Sequence, residues 1–424
     1  MNSAIERILQ AAIANGLLDD ERPLAGFVDV SAVRSTIQSL QQAFPGHFEH
    51  AFAAKANTMR RALELVREAG MGCEAASPGE LRQALRAGFS PDRIVYDEPA
   101  KTKSVLRGLL QAGIALNIDN FQEFERVRDL LSLEKSSSRI GFRVNPQVGA
   151  GTIGPMSTAT VNSKFGVALD DGGNRERLIE CYLQCDWLTV LHAHVGSQGC
   201  PLELMAAGIR KLVDLALEIE QAAGCRRVTT IDIGGGLPVN FADDGVRPTY
   251  ADYAGQLQRH VPELFSGRYR VQTEFGRTIF AKNGFMAARV EYTKSAGGRR
   301  IAVTHAGAQV AARTVFMPGH WKIRLSVCDA KGRMKTGNEV LQDIAGPCCF
   351  AGDVIGTERL LPAAEPGDFV VLHDTGAYYF SIPFYYNALQ APAVYGATAG
   401  NDGRVVLDEW RAQQGMDEML DMLG

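Results

Sequence analysis

Nowhere in the 424-residue sequence is there an apolar run long enough to span a bilayer, which excludes a helical membrane-spanning protein. The opening segment, Asn2-Ser3-Ala4-Ile5-Glu6-Arg7-Ile8, mixes charge into an amphipathic pattern and lacks the apolar stretch of a secretion signal, so a cytoplasmic protein is expected. Excess positive charge is missing too: 44 Lys and Arg stand against 48 Asp and Glu, a net charge of −4, which gives no general reason to expect nucleic acid as a partner. Cysteine is sparse at eight residues, with no CxxC pair and no metal-like spacing, so free thiols and no metal are expected. Low-complexity tracts are absent, and no GxGxxG near the start supports a dinucleotide site.

What remains is an ordinary globular composition, 46% apolar and 22% charged, in a chain too long for a single core. From about residue 48 to 277, strand-like apolar runs at 48–55, 72–76, 93–98, 115–119, 139–145, 188–196, 228–235 and 270–275 alternate with amphipathic segments such as Thr58–Ala69, Pro78–Ala87, Lys103–Ala112, Phe121–Leu131 and Pro201–Ala223. Strand–helix alternation implies parallel pairing, and eight units predict a closed (β/α)8 barrel of the TIM type, within an α/β fold; an open doubly wound sheet is the competing topology. After about residue 280 the texture changes to short β runs at 287–292, 300–303, 322–327 and 369–372, separated by Gly- and Pro-containing turns. The expected division is therefore a barrel over 31–280 and a β domain, barrel or sandwich, built from 1–30 and 281–424, with Phe27-Val28-Asp29-Val30 as a strand of the latter.

Reactive residues recur where the barrel strands end, the rim at which such folds keep their chemistry. Lys55 closes Ala51-Phe52-Ala53-Ala54; Arg143-Val144-Asn145 ends the fifth run; His192-Ala193-His194 leads to Ser197; Gly234-Gly235-Gly236 ends the seventh; Glu274-Phe275-Gly276-Arg277 ends the eighth. A lysine there can form a Schiff base, although most lysines are solvated surface groups. Three glycines let the backbone approach an anion, although a tight turn explains them equally. His194 suits stacking on a flat ring or a satisfied place in the core, and Glu274 suits a proton on a ring nitrogen or a surface ion pair. Taken together, these are the parts that pyridoxal phosphate requires.

Further motifs join them: Phe52-Ala53-Ala54-Lys55-Ala56-Asn57, Ala76-Ser77-Pro78-Gly79-Glu80-Leu81, Ser163-Lys164-Phe165-Gly166, His194-Val195-Gly196-Ser197-Gln198, Gly346-Pro347-Cys348-Cys349-Phe350-Ala351-Gly352-Asp353, Asp374-Thr375-Gly376-Ala377-Tyr378 and Tyr386-Asn387. In this order they resemble the barrel-type (fold type III) pyridoxal-phosphate decarboxylases, the group containing diaminopimelate, ornithine and arginine decarboxylases. The resemblance implies that Lys55 binds the cofactor covalently, His194 stacks on its ring and Glu274 pairs with its pyridine nitrogen. It implies that Ser197, Gly235, Gly236, Gly276, Arg277 and Tyr378 hold the phosphate. Cys349 looks like the proton donor to Cα, reaching in with Asp353 from the partner of a homodimer. For Cys73, Cys181, Cys185, Cys225 and Cys328 the small buried thiol is the expectation.

Departures from the family pattern bear on substrate. Diaminopimelate decarboxylases look like Cys-Glu-x-x-Asp where this chain has Cys349-Phe350-Ala351-Gly352-Asp353. Arg313 survives, but Thr314-Val315-Phe316-Met317 follows it and the family's tyrosine is gone; Phe275 stands where proline is usual. Arg313, Phe350, Asp353 and Tyr386 are the expected substrate contacts. Replacing a carboxylate by a phenyl ring leaves a distal ammonium unpaired, a cost of roughly 1–3 kcal/mol. The expected activity is a carboxy-lyase acting on an amino-acid group whose remainder carries carboxylate, such as the citrate-conjugated diaminopropionate of siderophore synthesis. Diaminopimelate decarboxylation in lysine biosynthesis is the alternative. An amino-acid racemase, disfavoured by Glu274, and a non-catalytic pyridoxal-phosphate carrier are further ones.

Overall fold

The computed structural model describes residues 2–154, 157–400 and 404–424, so Met1 and residues 401–403 of the expected β domain lie outside the described residues. Two compact units emerge, one of Met1–Ser35, Asn240–Gly245 and Ile279–Gly424, the other of Thr36–Val239 and Val246–Thr278. Strand β1 (Leu24–Asp29) belongs to the first unit. The next nine form the second: β2 (Phe48–Ala53), β3 (Gly72–Ala75), β4 (Ile94–Tyr96), β5 (Ala115–Ile118), β6 (Ile140–Asn145), β7 (Val167–Ala168), β8 (Leu188–His192), β9 (Thr230–Asp232) and β10 (Arg270–Phe275). The remainder return to the first: β11 (Gly284–Ala296), β12 (Arg299–Thr304), β13 (Leu325–Cys328), β14 (Glu339–Ala345), β15 (Val354–Pro362), β16 (Phe369–Leu372), β17 (Ala393–Ala399) and β18 (Val405–Arg411).

In the second unit the order β5-β4-β3-β2-β10-β9-β8-β6 closes through β5–β6 pairing, and every pair is parallel. This is the eight-stranded barrel, with helices between its strands; β7 is a two-residue addition on β6. The strands read as continuous apolar runs because both faces are covered, as in β3, which is buried throughout. Helix starts are encoded locally. Ser77 accepts from the Glu80 N–H (3.2 Å) while Glu80 accepts from the Ala76 N–H (2.7 Å), with Pro78 at the first turn, so Ala76–Leu81 is a helix-capping motif. Thr249 and Asp252 form the same reciprocal cap before Tyr250–His260.

The first unit is a mixed sheet in the order β15-β14-β12-β11-β1-β17-β18, with β13 and β16 pairing alongside β11. Its core stacks Phe27 on Phe285 (5.0 Å between centroids) and on Tyr395 (5.9 Å). Asn240–Gly245 is tied to this unit by Lys282, which donates to the Asp243 carbonyl (2.7 Å), and by Arg324 against Asp244 (2.5 Å). All eight cysteines are free thiols. One expectation fails: Cys225 is exposed, because it follows Gly224, whose left-handed backbone ends the helix Leu202–Ala223 and puts the next residue on the loop. Among the described residues no helix is long and apolar enough to cross a membrane.

Candidate active site

The barrel rim gathers Lys55, His194, Ser197, Gly235, Gly236, Glu274, Gly276 and Arg277 from the ends of β2, β8, β9 and β10. Lys55 lies in a single 3-10 turn, Ala54–Ala56, which lifts its side chain out of the strand path. Its Nζ meets Glu74 Oε2 at 2.8 Å. His194 is half-buried and neutral: desolvation, then the charges of Lys55, Arg143 and His192, hold its pKa well below the ordinary imidazole value. Its Nδ1 accepts from the Gly235 N–H at 3.4 Å and stands 3.7 Å from Glu274 Oε2.

Glu274 ends β10 with both carboxylate oxygens buried and without a hydrogen-bond partner. Burial pushes its pKa well up, reinforced by Asp232 and opposed by His192. The preceding-loop glycines are obligatory by geometry. A Cβ on Gly235 would stand 2.1 Å from the Glu274 carbonyl oxygen, and one on Gly236 (φ +88°) 2.0 Å from that of Gly196. Gly234 spends its N–H on Asp232 Oδ1 at 2.9 Å. Phe275, in the usual place of a proline, is buried against Tyr250 (5.2 Å) and Tyr253 (6.2 Å).

Behind the rim lies a charged cluster that sequence reasoning did not assign. Arg143 reaches Asp97 at 2.5 Å and stacks on Phe165 of the Ser163–Gly166 motif at 4.3 Å. His192 sits among Asp97, Asp232 and Glu274, all buried. The ligating atoms of Asp97, His192 and Glu274 lie within 4.8 Å of one another, but the guanidinium of Arg143 already supplies Asp97 with its cation. A signal for His192 was present: in the run expected over 188–196, strand alternation puts it on the same side as His194.

The β unit carries the other expected residues. Cys349 is exposed on the loop between β14 and β15, and its N–H donates to Asn387 Oδ1 at 2.7 Å. Asp353 is buried and uses both oxygens on backbone N–H groups, Ala308 (2.6 Å) and Cys348 (2.7 Å), so it anchors the Cys349 loop to the helix Ala308–Phe316. Phe350 lies on Phe316 at 5.6 Å, 2° from parallel, and edge-on to Tyr386 at 5.1 Å. The guanidinium of Arg313 faces the rings of Trp321 (4.5 Å) and Tyr378 (4.7 Å).

Residues 30–281 match the family of pyridoxal-dependent decarboxylases over its pyridoxal binding domain. The chain belongs to this family. Its curated relatives include the diaminopimelate decarboxylase of Pseudomonas fluorescens, 32% identical over 342 residues (79% of this chain, 78% of the relative), and that of Bacteroides thetaiotaomicron, 27% identical over 385 residues (87% and 94%). Among solved structures, diaminopimelate decarboxylase from Helicobacter pylori complexed with L-lysine superposes with a TM-score of 0.83 at 24% identity, covering 97% of this chain and 99% of that one. Lysine/ornithine decarboxylase from Vibrio vulnificus complexed with putrescine gives 0.76 at 20% identity, covering 92% and 97%.

The chain is thus a pyridoxal-phosphate-dependent amino-acid decarboxylase of the barrel type. The rim residues fit that cofactor on two counts. The orphaned carboxylate of Glu274 is an acceptor waiting for a ring N–H, and the glycines after β9 leave a surface without side chains on which an anion can rest.

Proposed function

We propose that this decarboxylase acts on an amino-acid group attached to a carboxylate-bearing remainder other than that of diaminopimelate, with a citrate-conjugated diaminopropionate of siderophore synthesis as the leading example. The observation that carries this reading is the Phe350 ring stacked on Phe316, at the position where the family resemblance expects an acid. A phenyl ring there gives a distal ammonium group no charge-assisted hydrogen bond. Arg313, flanked by Trp321 and Tyr378, retains the planar fork that grips a carboxylate bidentately.

Bound pyridoxal phosphate supplies an electron-accepting ring for the pair released when the Cα–carboxylate bond breaks. In this reading Lys55, paired with Glu74, would hold the cofactor covalently. His194, neutral and accepting from the Gly235 N–H, would pack against its ring, and Glu274 would hold a proton at its ring nitrogen. Ser197, Gly235, Gly236, Gly276, Arg277 and Tyr378 hold the phosphate. Two copies share their sites, each lending Cys349 to the other as proton donor to Cα. Asp353, through the Cys348 N–H, and Asn387, through the Cys349 N–H, fix this loop for that role.

A second reading, diaminopimelate decarboxylation in lysine biosynthesis, is favoured by the relatives from P. fluorescens and B. thetaiotaomicron, which carry that name. A panel of candidate amino acids assayed for CO2 release separates the two. Efficient turnover of diaminopimelate, or complementation of a lysine auxotroph, rejects the first reading in favour of the second.

A further inference from the structure

His192 has no task in the chemistry described so far, yet its imidazole is fully buried where β8 ends and is surrounded by charged groups from neighbouring strand ends. Its Nδ1 lies 3.3 Å from Asp232 Oδ1; its Nε2 lies 3.5 Å from Asp97 Oδ2 and 4.0 Å from Glu274 Oε2. Each ring nitrogen therefore has a carboxylate oxygen within 3.5 Å, although neither makes an aligned hydrogen bond. A neutral imidazole carries a single N–H, so one of its nitrogens would turn a lone pair toward an anion; the imidazolium alone offers a proton on both sides. Burial by itself lowers the imidazole pKa, but Glu274, Asp232 and Asp97 outweigh it and raise the value well above the ordinary one.

The three carboxylates are not equivalent. Asp97 is gripped by Arg143 at 2.5 Å. Asp232 accepts from the Gly234 N–H and from Gln272 Nε2, each at 2.9 Å. Fixed donors thus occupy both. Glu274 alone has neither oxygen hydrogen-bonded, so it is the member of the cluster able to take up or release a proton. Burial, Asp232, Glu74 and Asp97 all favour its protonated form, and His192 is the charge that opposes them. His194, also beside Glu274, is neutral and supplies no such charge.

We infer that His192 is a positioning residue: an imidazolium wedged between Asp97 and Asp232 that decides whether Glu274 or the cofactor's ring nitrogen keeps the proton they share. The inference rests on the reading of Glu274 as the partner of that nitrogen. With the imidazolium present, Glu274 is the stronger acid, the proton resides on the ring, and the ring is the better electron sink. Without it, Glu274 keeps the proton and donates a hydrogen bond to an unprotonated ring.

Nitrogen-15 in the cofactor ring reports this directly. In the loaded wild-type protein at about pH 8, well above the ordinary imidazole value, the ring nitrogen should carry a bound proton, and His192→Gln should lose that N–H signal. A folded, loaded variant that retains it overturns the role of His192. A wild-type ring lacking the N–H overturns the reading of Glu274 instead. A second measurement needs no variant: with nitrogen-15 histidine, one of the eight histidines must stay doubly protonated at about pH 9. His50 and His373 are pushed down to about 4 by burial and His194 is lowered too, and loss of the signal in His192→Gln assigns it to His192. Its absence overturns the inference.

Discussion

The ammonium of Lys55 stands 2.8 Å from Glu74, joining a lysine side chain that is 37% exposed to a carboxylate that sees no solvent. Lys55→Ala therefore has two separable effects. Borohydride no longer fixes the cofactor to the chain, and the buried Glu74 loses its partner at a cost of roughly 2–3 kcal/mol. Adding Glu74→Ala should recover most of the stability and none of the covalent attachment. A single mutant that still traps the cofactor after reduction would place the link on another residue.

Cys349 is exposed and held only through its backbone to Asn387. Cys349→Ala should leave the bound-cofactor absorbance unchanged and slow turnover roughly 100-fold, the range for loss of one positioned proton donor, or change the product. Unchanged kcat and product would remove Cys349 from the chemistry.

Phe350 tests the substrate. Phe350→Glu restores the family's acid at that position and should lower the KM for diaminopimelate about tenfold, near 1.4 kcal/mol of binding. Steady-state kinetics with no gain would show that the aromatic ring is not what disfavours that substrate.

His50 sets a pH dependence. Its pKa falls from 6.5 to about 4 through burial, with Nδ1 2.8 Å from Thr273 Oγ1. Between those values the unfolded chain binds a proton that the folded chain refuses, so this contribution is complete above the unfolded value and shrinks as pH falls toward 4. At about pH 5 the loss is about 2 kcal/mol relative to pH 7. Urea midpoints at the two pH values should show this fall, and His50→Gln should reduce it; equal falls in both proteins would contradict the assignment.

Lys101 and Glu123 form an ion pair at 2.8 Å with side chains 0% and 6% exposed. Lys101→Ala should cost about 3–5 kcal/mol by stranding the carboxylate, whereas Lys101→Met with Glu123→Leu should cost little. Denaturation of the single and double variants checks the difference.

The barrel was legible because parallel strands covered on both faces read as apolar runs, and the helices between them carry their own starts, as Ser77 and Thr249 do. Strand ends were less legible. The run expected to reach residue 196 stops at His192, and the one expected to reach 235 stops at Asp232, where Gly234 with φ of +64° leaves the ladder. In the β unit, β14, β15 and β18 escaped notice because exposed polar residues interrupt them, as in β18 with Asp408 and Glu409. Motif residues such as Lys55 and Glu274 stood out, whereas Asp97, Asp232 and His192 matter through neighbours far along the chain, and no local pattern announces a partner contributed by another strand.

The position of β1 has a consequence for biosynthesis. Ala25 pairs with Ala287 on one side and with Ala393 on the other, so this strand leaves the ribosome long before its second neighbour, β17, is made. A premature stop anywhere before β17 leaves that strand with an open edge and Phe27 without Tyr395, a sticky nascent product for chaperones and proteases to clear.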